Sequence, residues 1–125
     1  MSKTIELRKE LTRMFKTEIN EVHFEIADDS APYPYLQYEI DEIRNEDGKS
    51  VIILEVNILD YGTSTITVET LADDVQKLLH KYYFINDEIQ FSSYKLVKNI
   101  VQEEDKKIRR RRLTFEIQLH ELKGE

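Results

Sequence analysis

The chain has no cysteine. That excludes disulfides, thiolate metal sites and thiol nucleophiles, and it fits a reducing compartment. Glycine occurs 3 times and proline 2 times in 125 residues. This is too little glycine for a Gly-rich phosphate loop and too little of either for a low-complexity, disordered chain. Long apolar runs are missing as well. The longest is Val51-Ile52-Ile53-Leu54, whereas a bilayer-spanning helix needs about 20 residues and a signal peptide a continuous apolar stretch of about 7–15. A soluble, cytoplasmic protein is expected, with no membrane partner. Basic residues are the minority, 18 against 25 acidic ones, for a formal net charge of -7. Nucleic acids and anionic membranes attract basic surfaces, so this balance argues against either as a partner of the whole molecule.

What is present suits one domain covering residues 1–125. A chain of this length buries about two thirds of its surface on folding, enough for one core without a metal or disulfide staple. Leu7, Leu11, Met14 and Phe15 recur at helical spacing and predict a helix over 4–17. Val22, Phe24 and Ile26 alternate with Glu21, His23 and Glu25, a half-buried strand. Turn formers at 27–32 end it, and Pro32 and Pro34 deliver the chain extended into the next strand, near a sheet edge. There Leu36, Tyr38 and Ile40 share one face, and Tyr35, Gln37, Glu39 and Asp41 the other. Asn45-Glu46-Asp47-Gly48 signals a turn, and the strand at 51–59 follows with Ile52, Leu54, Val56 and Ile58 facing inward.

After N-cap candidates Thr63 and Ser64, the spacing of Val68, Leu71, Ala72, Val75, Leu78, Leu79 and Tyr82 predicts an amphipathic helix to about Tyr83. A strand at 88–101 changes parity between Phe91 and Tyr94, which a bulge at Ser92-Ser93 would reconcile. A charged turn at 102–107 leads to the last strand, 108–120, and Lys123-Gly124-Glu125 is expected to fray. The order α-β-β-β-α-β-β with short connections implies an α+β fold. It is a mostly antiparallel sheet of about five strands packed by two helices.

The strongest local charge signal is Lys106-Lys107-Ile108-Arg109-Arg110-Arg111-Arg112, beside Glu103-Glu104-Asp105. On a strand, Arg109 and Arg111 share a face with Leu113 and Phe115, while Arg110 and Arg112 point away. The bases are then divided between two faces and make a poor phosphate track. Three uses stay open: pairing with Glu39, Asp41 or Glu42 inside the protein, contact with another protein, or direct nucleic-acid contact. Tyr33 and Tyr35, with Tyr38, suit either an interface or packing at the core and rim. His23, His80 and His120 are far apart, and Asp28-Asp29 and Asp73-Asp74 are neighbours whose side chains diverge. No metal site is expected from them. No Gly-x-Ser-x-Gly occurs and Ser92-Ser93 has no local support, so an enzyme is not expected.

The linear pattern runs Ala31-Pro32-Tyr33-Pro34-Tyr35-Leu36-Gln37-Tyr38, then Ile53-Leu54-Glu55-Val56-Asn57-Ile58-Leu59-Asp60. It continues with Thr70-Leu71-Ala72-Asp73-Asp74-Val75 and closes on Arg110-Arg111-Arg112-Leu113-Thr114-Phe115-Glu116-Ile117. In order, spacing and total length this resembles the small tail-completion, or tail-terminator, proteins of long-tailed bacteriophages and prophages. The resemblance implies a non-enzymatic, cofactor-free structural protein. Such a protein forms a ring, typically of six copies, that caps the tail tube and joins it to the head connector. It implies the tube and connector proteins as partners, no sequence-specific nucleic-acid binding, and residence in the bacterial host cytoplasm and then in the tail neck of the virion. In such a ring Glu39, Asp41 and Glu42 on one patch and Arg109, Arg110, Arg111 and Arg112 on another are candidate contacts, with Tyr33 and Tyr35. Segments 44–50 and 102–107 are candidate loops toward tube or connector. Another phage neck protein (a head-tail adaptor or connector-completion protein) and a cellular α+β module binding a peptide or nucleic acid remain alternatives.

Overall fold

The computed structural model describes residues 2–122; the expected fraying at Lys123-Gly124-Glu125 lies outside them. The elements are α1 (Lys3–Phe15), β1 (Val22–Phe24), β2 (Tyr35–Glu46), β3 (Lys49–Tyr61), α2 (Ile66–Leu79), β4 (Tyr82–Ile85), β5 (Ile89–Val101) and β6 (Ile108–Glu121). The α+β class and the two helices are as expected. The sheet has six strands rather than five, in the order β1-β2-β3-β6-β5-β4.

The inward alternation of the two central strands builds the core. Ile52, Leu54, Val56 and Ile58 of β3 and Leu113, Phe115, Ile117 and Leu119 of β6 are all fully buried. The register sets Leu54 opposite Phe115 and Val56 opposite Leu113. Both helices cover this face with narrow stripes: Leu7, Leu11, Met14 and Phe15 from α1, and Val68, Ala72, Val75 and Leu79 from α2. Tyr38 carries its hydroxyl into the core but not unsatisfied. It donates to the Arg8 carbonyl at 3.1 Å and lies 2.7 Å from Thr12 Oγ1, while its ring packs edge-on against Phe15 and Phe24.

Four local expectations are corrected. First, α2 stops at Leu79, and Tyr82 and Tyr83 belong to β4 instead. The His80 amide closes the helix on the Gln76 carbonyl, and Lys81 takes a left-handed φ of 60°. The β-prone Tyr82-Tyr83-Phe84-Ile85 then pairs with β5, Phe84 lying against Phe91. Second, β1 is parallel to β2, not antiparallel. Glu25 leaves the strand at φ 67°, Ile26 swings out to solvent, and the ten-residue segment 25–34 carries the chain back to run alongside. Third, the irregularity in β5 falls between Lys95 and Val97 rather than at Ser92-Ser93. Tyr94 and Leu96 are simply exposed, so no parity repair is needed at the serines. Fourth, segment 44–50 is mostly strand. The turn of the β2–β3 hairpin is Asp47-Gly48 alone, with φ of 53° and 75°. Two successive positive φ values are what a type I′ turn requires, and Asp-Gly is a favoured pair for it.

Lys81 is a non-glycine residue held in the left-handed region at a helix end, where glycine is the usual occupant. Lys81→Gly is expected to raise stability by about 1 kcal/mol in urea unfolding. Phe115→Ala, which empties the centre of the core, should lower it by about 3–5 kcal/mol.

Candidate functional site

The period of two places one side of the sheet against the helices and leaves the other free of them. On the free side the strand register aligns four rows across β2, β3, β6 and β5. They are Tyr35–Leu59–Arg110–Val101, Gln37–Asn57–Arg112–Asn99, Glu39–Glu55–Thr114–Val97 and Asp41–Ile53–Glu116–Tyr94. Of the nine residues singled out from the sequence, Tyr35, Glu39, Asp41, Arg110 and Arg112 meet on this face, with Tyr33 at its rim. The other three lie elsewhere. Glu42 sits opposite the buried Ile52 and accepts a hydrogen bond from Ser50 Oγ at 2.6 Å. Arg109 donates to the carbonyls of Gly62 and Thr63 and holds the loop that leads into α2. Arg111 lies beneath α2.

The intramolecular partners of the arginines are not the ones anticipated. Glu39, Asp41 and Glu42 make no ion pair with them. Arg110 instead donates to Asn57 Oδ1 and to Glu103 Oε1, both at 2.9 Å. Arg111 is 6% exposed and pairs with Glu69. The other Glu69 oxygen takes Lys98 Nζ at 2.8 Å, and Lys98 also reaches Asp73 at 3.0 Å. Hydrogen bonds from Arg111 and then Lys98 hold the Glu69 carboxyl below the usual carboxylate range. Among the described residues Arg112 has no hydrogen-bond or ion-pair partner, so it is the one arginine of the run whose head group is available on the free face.

Next to the bases lies an acidic band. Glu39 and Glu55 are directly opposite each other on neighbouring strands. Burial first, then the charges of Glu55 and Asp41, push the Glu39 carboxyl above its ordinary value. At the Arg110 end Tyr33 stacks at a tilt against Tyr35 at 5.4 Å and against Tyr61 at 5.7 Å. Tyr61 was not singled out from the sequence. It joins the cluster because β3 runs to its end beside β2, and its place at the strand terminus was the available signal. Partial burial, then the neighbouring Tyr33, raise the Tyr35 hydroxyl above its ordinary value.

Chemically, this face carries a basic band, an acidic band and an aromatic end. Among the described residues no group of three or more His, Asp or Glu side chains is placed to hold a metal ion. An open cleft of about 470 Å³ lies where Glu18, Asn20, Pro32, Tyr33 and Thr67 meet. It adjoins the tyrosine cluster, and its charged lining is the two carboxylates of Glu18 and Glu21.

No family model matches the chain, and no curated protein does. Its fold is similar to that of a chain in the solved virion of a native gene transfer agent (GTA) particle. The TM-score is 0.67 at 12% identity, covering 85% of this chain and 84% of that one. At that identity the likeness is one of fold.

Two outcomes follow from the charges. The carboxyl of Glu69 lies below its ordinary value when folded, so its stabilisation is present above the ordinary carboxylate range and is lost as pH falls through the folded value. Glu69→Gln should therefore cost about 1–2 kcal/mol near neutral pH, and the gap to wild type should narrow as pH falls below the ordinary carboxylate range. The loss is smaller than for a fully buried pair because the Glu69 side chain is 38% exposed. Conversely, Glu39→Gln removes a like-charge pair across two strands and should stabilise by about 0.2–1 kcal/mol at neutral pH. Thermal unfolding across a pH series reads both.

Proposed function

We propose that the chain is a structural component of a phage-type virion: a tail terminator that assembles into a ring, caps the tail tube and offers the surface that meets the head connector. The observation that carries this reading is the fold likeness, over most of both chains, to a chain of a gene transfer agent virion. Two further features support it. The sequence pattern resembles tail-completion proteins from the first helix to the last strand. The free sheet face carries groups common at protein interfaces: an available arginine, an acidic band and clustered tyrosines. In this role the protein carries out no reaction and needs no cofactor. Its partners are further copies of itself, the tube protein and the connector protein. It belongs first to the host cytoplasm and then to the neck of the particle.

The same fold likeness also suits a different neck protein, one that completes the connector, because the fold neighbour is a virion chain of unspecified position. Electron microscopy of particles made without the gene separates the two. Overlong or unjoined tails are the expected result. Normal tails beside leaking heads would transfer the protein to the connector, and unchanged particles would overturn the virion role altogether.

Within the ring, reversing the charge of Arg110 and Arg112 should weaken assembly. Arg112→Glu is the cleaner change, because Arg110 also holds Asn57 and Glu103 in its own subunit. The expected outcome for Arg112→Glu is an unchanged unfolding temperature with fewer oligomers in light scattering. Unchanged oligomers would remove Arg112 from the interface.

A further inference from the structure

The sheet has two unfinished edges. β4 pairs with β5 only at residues 90–93, and just beyond it His80 Nδ1 accepts the Lys95 amide at 3.1 Å, so the outer edge of β5 from 96 to 101 has no strand beside it. At the other end, β1 pairs with β2 only at 36–38, which leaves the outer edge of β2 from 39 to 46 open. The two open stretches are six and eight residues long. Both carry exposed apolar side chains: Leu96 (52%), Val97 (41%) and Ile100 (64%) on β5, and Ile43 (64%) on β2. Their charges are opposite. The β5 edge carries Lys95 and no acid, its Lys98 being already held by Glu69 and Asp73 of the same subunit, while the β2 stretch contains Glu39, Asp41, Glu42 and Glu46 against Arg44 alone. An open apolar edge is an aggregation hazard that monomeric proteins cover or blunt.

We infer that these edges pair with each other between copies: residues 96–101 of one subunit lie beside residues 39–44 of the next. The occupant of each edge is thus a second copy of this chain. The inference rests on the self-assembling part of the proposed function and adds the surface that performs it.

Three geometrical facts carry it. The two edges lie at opposite ends of the sheet, so their contact is head-to-tail, the kind that closes into rings. The four strands β2, β3, β6 and β5 alternate in direction, each pair antiparallel. An even number of alternating strands returns to the same direction at each repeat, so β5 meets the next β2 antiparallel and every copy keeps the same end up. The third fact is the offset. Val101 is level with Arg110, Leu59 and Tyr35 across the sheet. Pairing Val101 with residue 39 of the neighbour therefore slides each copy by about four residues, roughly 13 Å, over four strand spacings of about 4.8 Å. A slide of that size corresponds to strands tilted about 35° from the ring axis, within the range at which closed sheets form. The diagonal placement of the two open edges thus matches what closure demands.

The absence of cysteine makes the test clean. Ile43→Cys is combined in turn with Leu96→Cys, Val97→Cys and Ile100→Cys, all at exposed positions. Within one copy β2 and β5 stand about 14 Å apart across the sheet, too far for a disulfide. The expected result on oxidation is a ladder of covalent multimers in at least one double variant, ending at the ring size, with no ladder from any single variant. Oligomers seen by native mass spectrometry without a ladder from any pair would overturn the edge contact and leave the ring standing. Covalent dimers from Ile43→Cys alone would show two-fold pairing of like edges, and overturn it too. A protein that stays monomeric and uncrosslinked at every concentration reached would overturn the edge contact as an intrinsic property of the chain. The role in the tail is then judged separately by the particles made without the gene.

Discussion

One buried cation governs the placement of α2. β6 alternates without interruption from Arg111 through Leu119, so the period that buries Leu113, Phe115, Ile117 and Leu119 also drives Arg111 to the core side of the sheet. A guanidinium there must be paired, because an unpaired buried charge costs several kcal/mol. The partner is Glu69, adjacent in α2 to Val68, the first residue of the buried stripe. The ion pair therefore fixes how α2 is rotated and how far it slides along the sheet. Lys98 ties the same carboxylate to β5. A single acidic side chain thereby ties α2 to both strands of the β5–β6 hairpin.

The free face follows a different logic. Glu39 opposite Glu55 is a local cost, and Arg112 is left without a partner although acids lie one row away. A face selected only for the stability of its own subunit would place arginine beside glutamate. This one separates them by a row, which leaves both signs available to whatever lies against it.

Much of this was legible in the residues themselves, and the exceptions share a cause. Periodicity located the inward faces of β2, β3 and β6 and the outward direction of Arg110 and Arg112, because these depend only on neighbours two residues away. It misread Tyr82-Tyr83, since the tyrosines continue the helical spacing of α2 and only the left-handed Lys81 breaks it. It misread the direction of β1, since pairing sense depends on where the ten residues of 25–34 lead, not on what they are. The arginine partners were also out of reach. Glu69 and Glu103 are brought to β6 by the topology, while the more conspicuous Glu39-Ile40-Asp41-Glu42 cluster stays across β3. The open edges likewise appear only once strand lengths can be compared side by side.

The two strands that form the middle of the sheet, β3 and β6, are separated in the chain by all of α2, β4 and β5. Without β6, β2–β3 and β4–β5 are two hairpins with no strand between them. Such long-range closure is slow, and neither hairpin can bury its face alone. The sheet is completed only after residue 121 has left the ribosome, when β6 inserts between the two halves like a keystone.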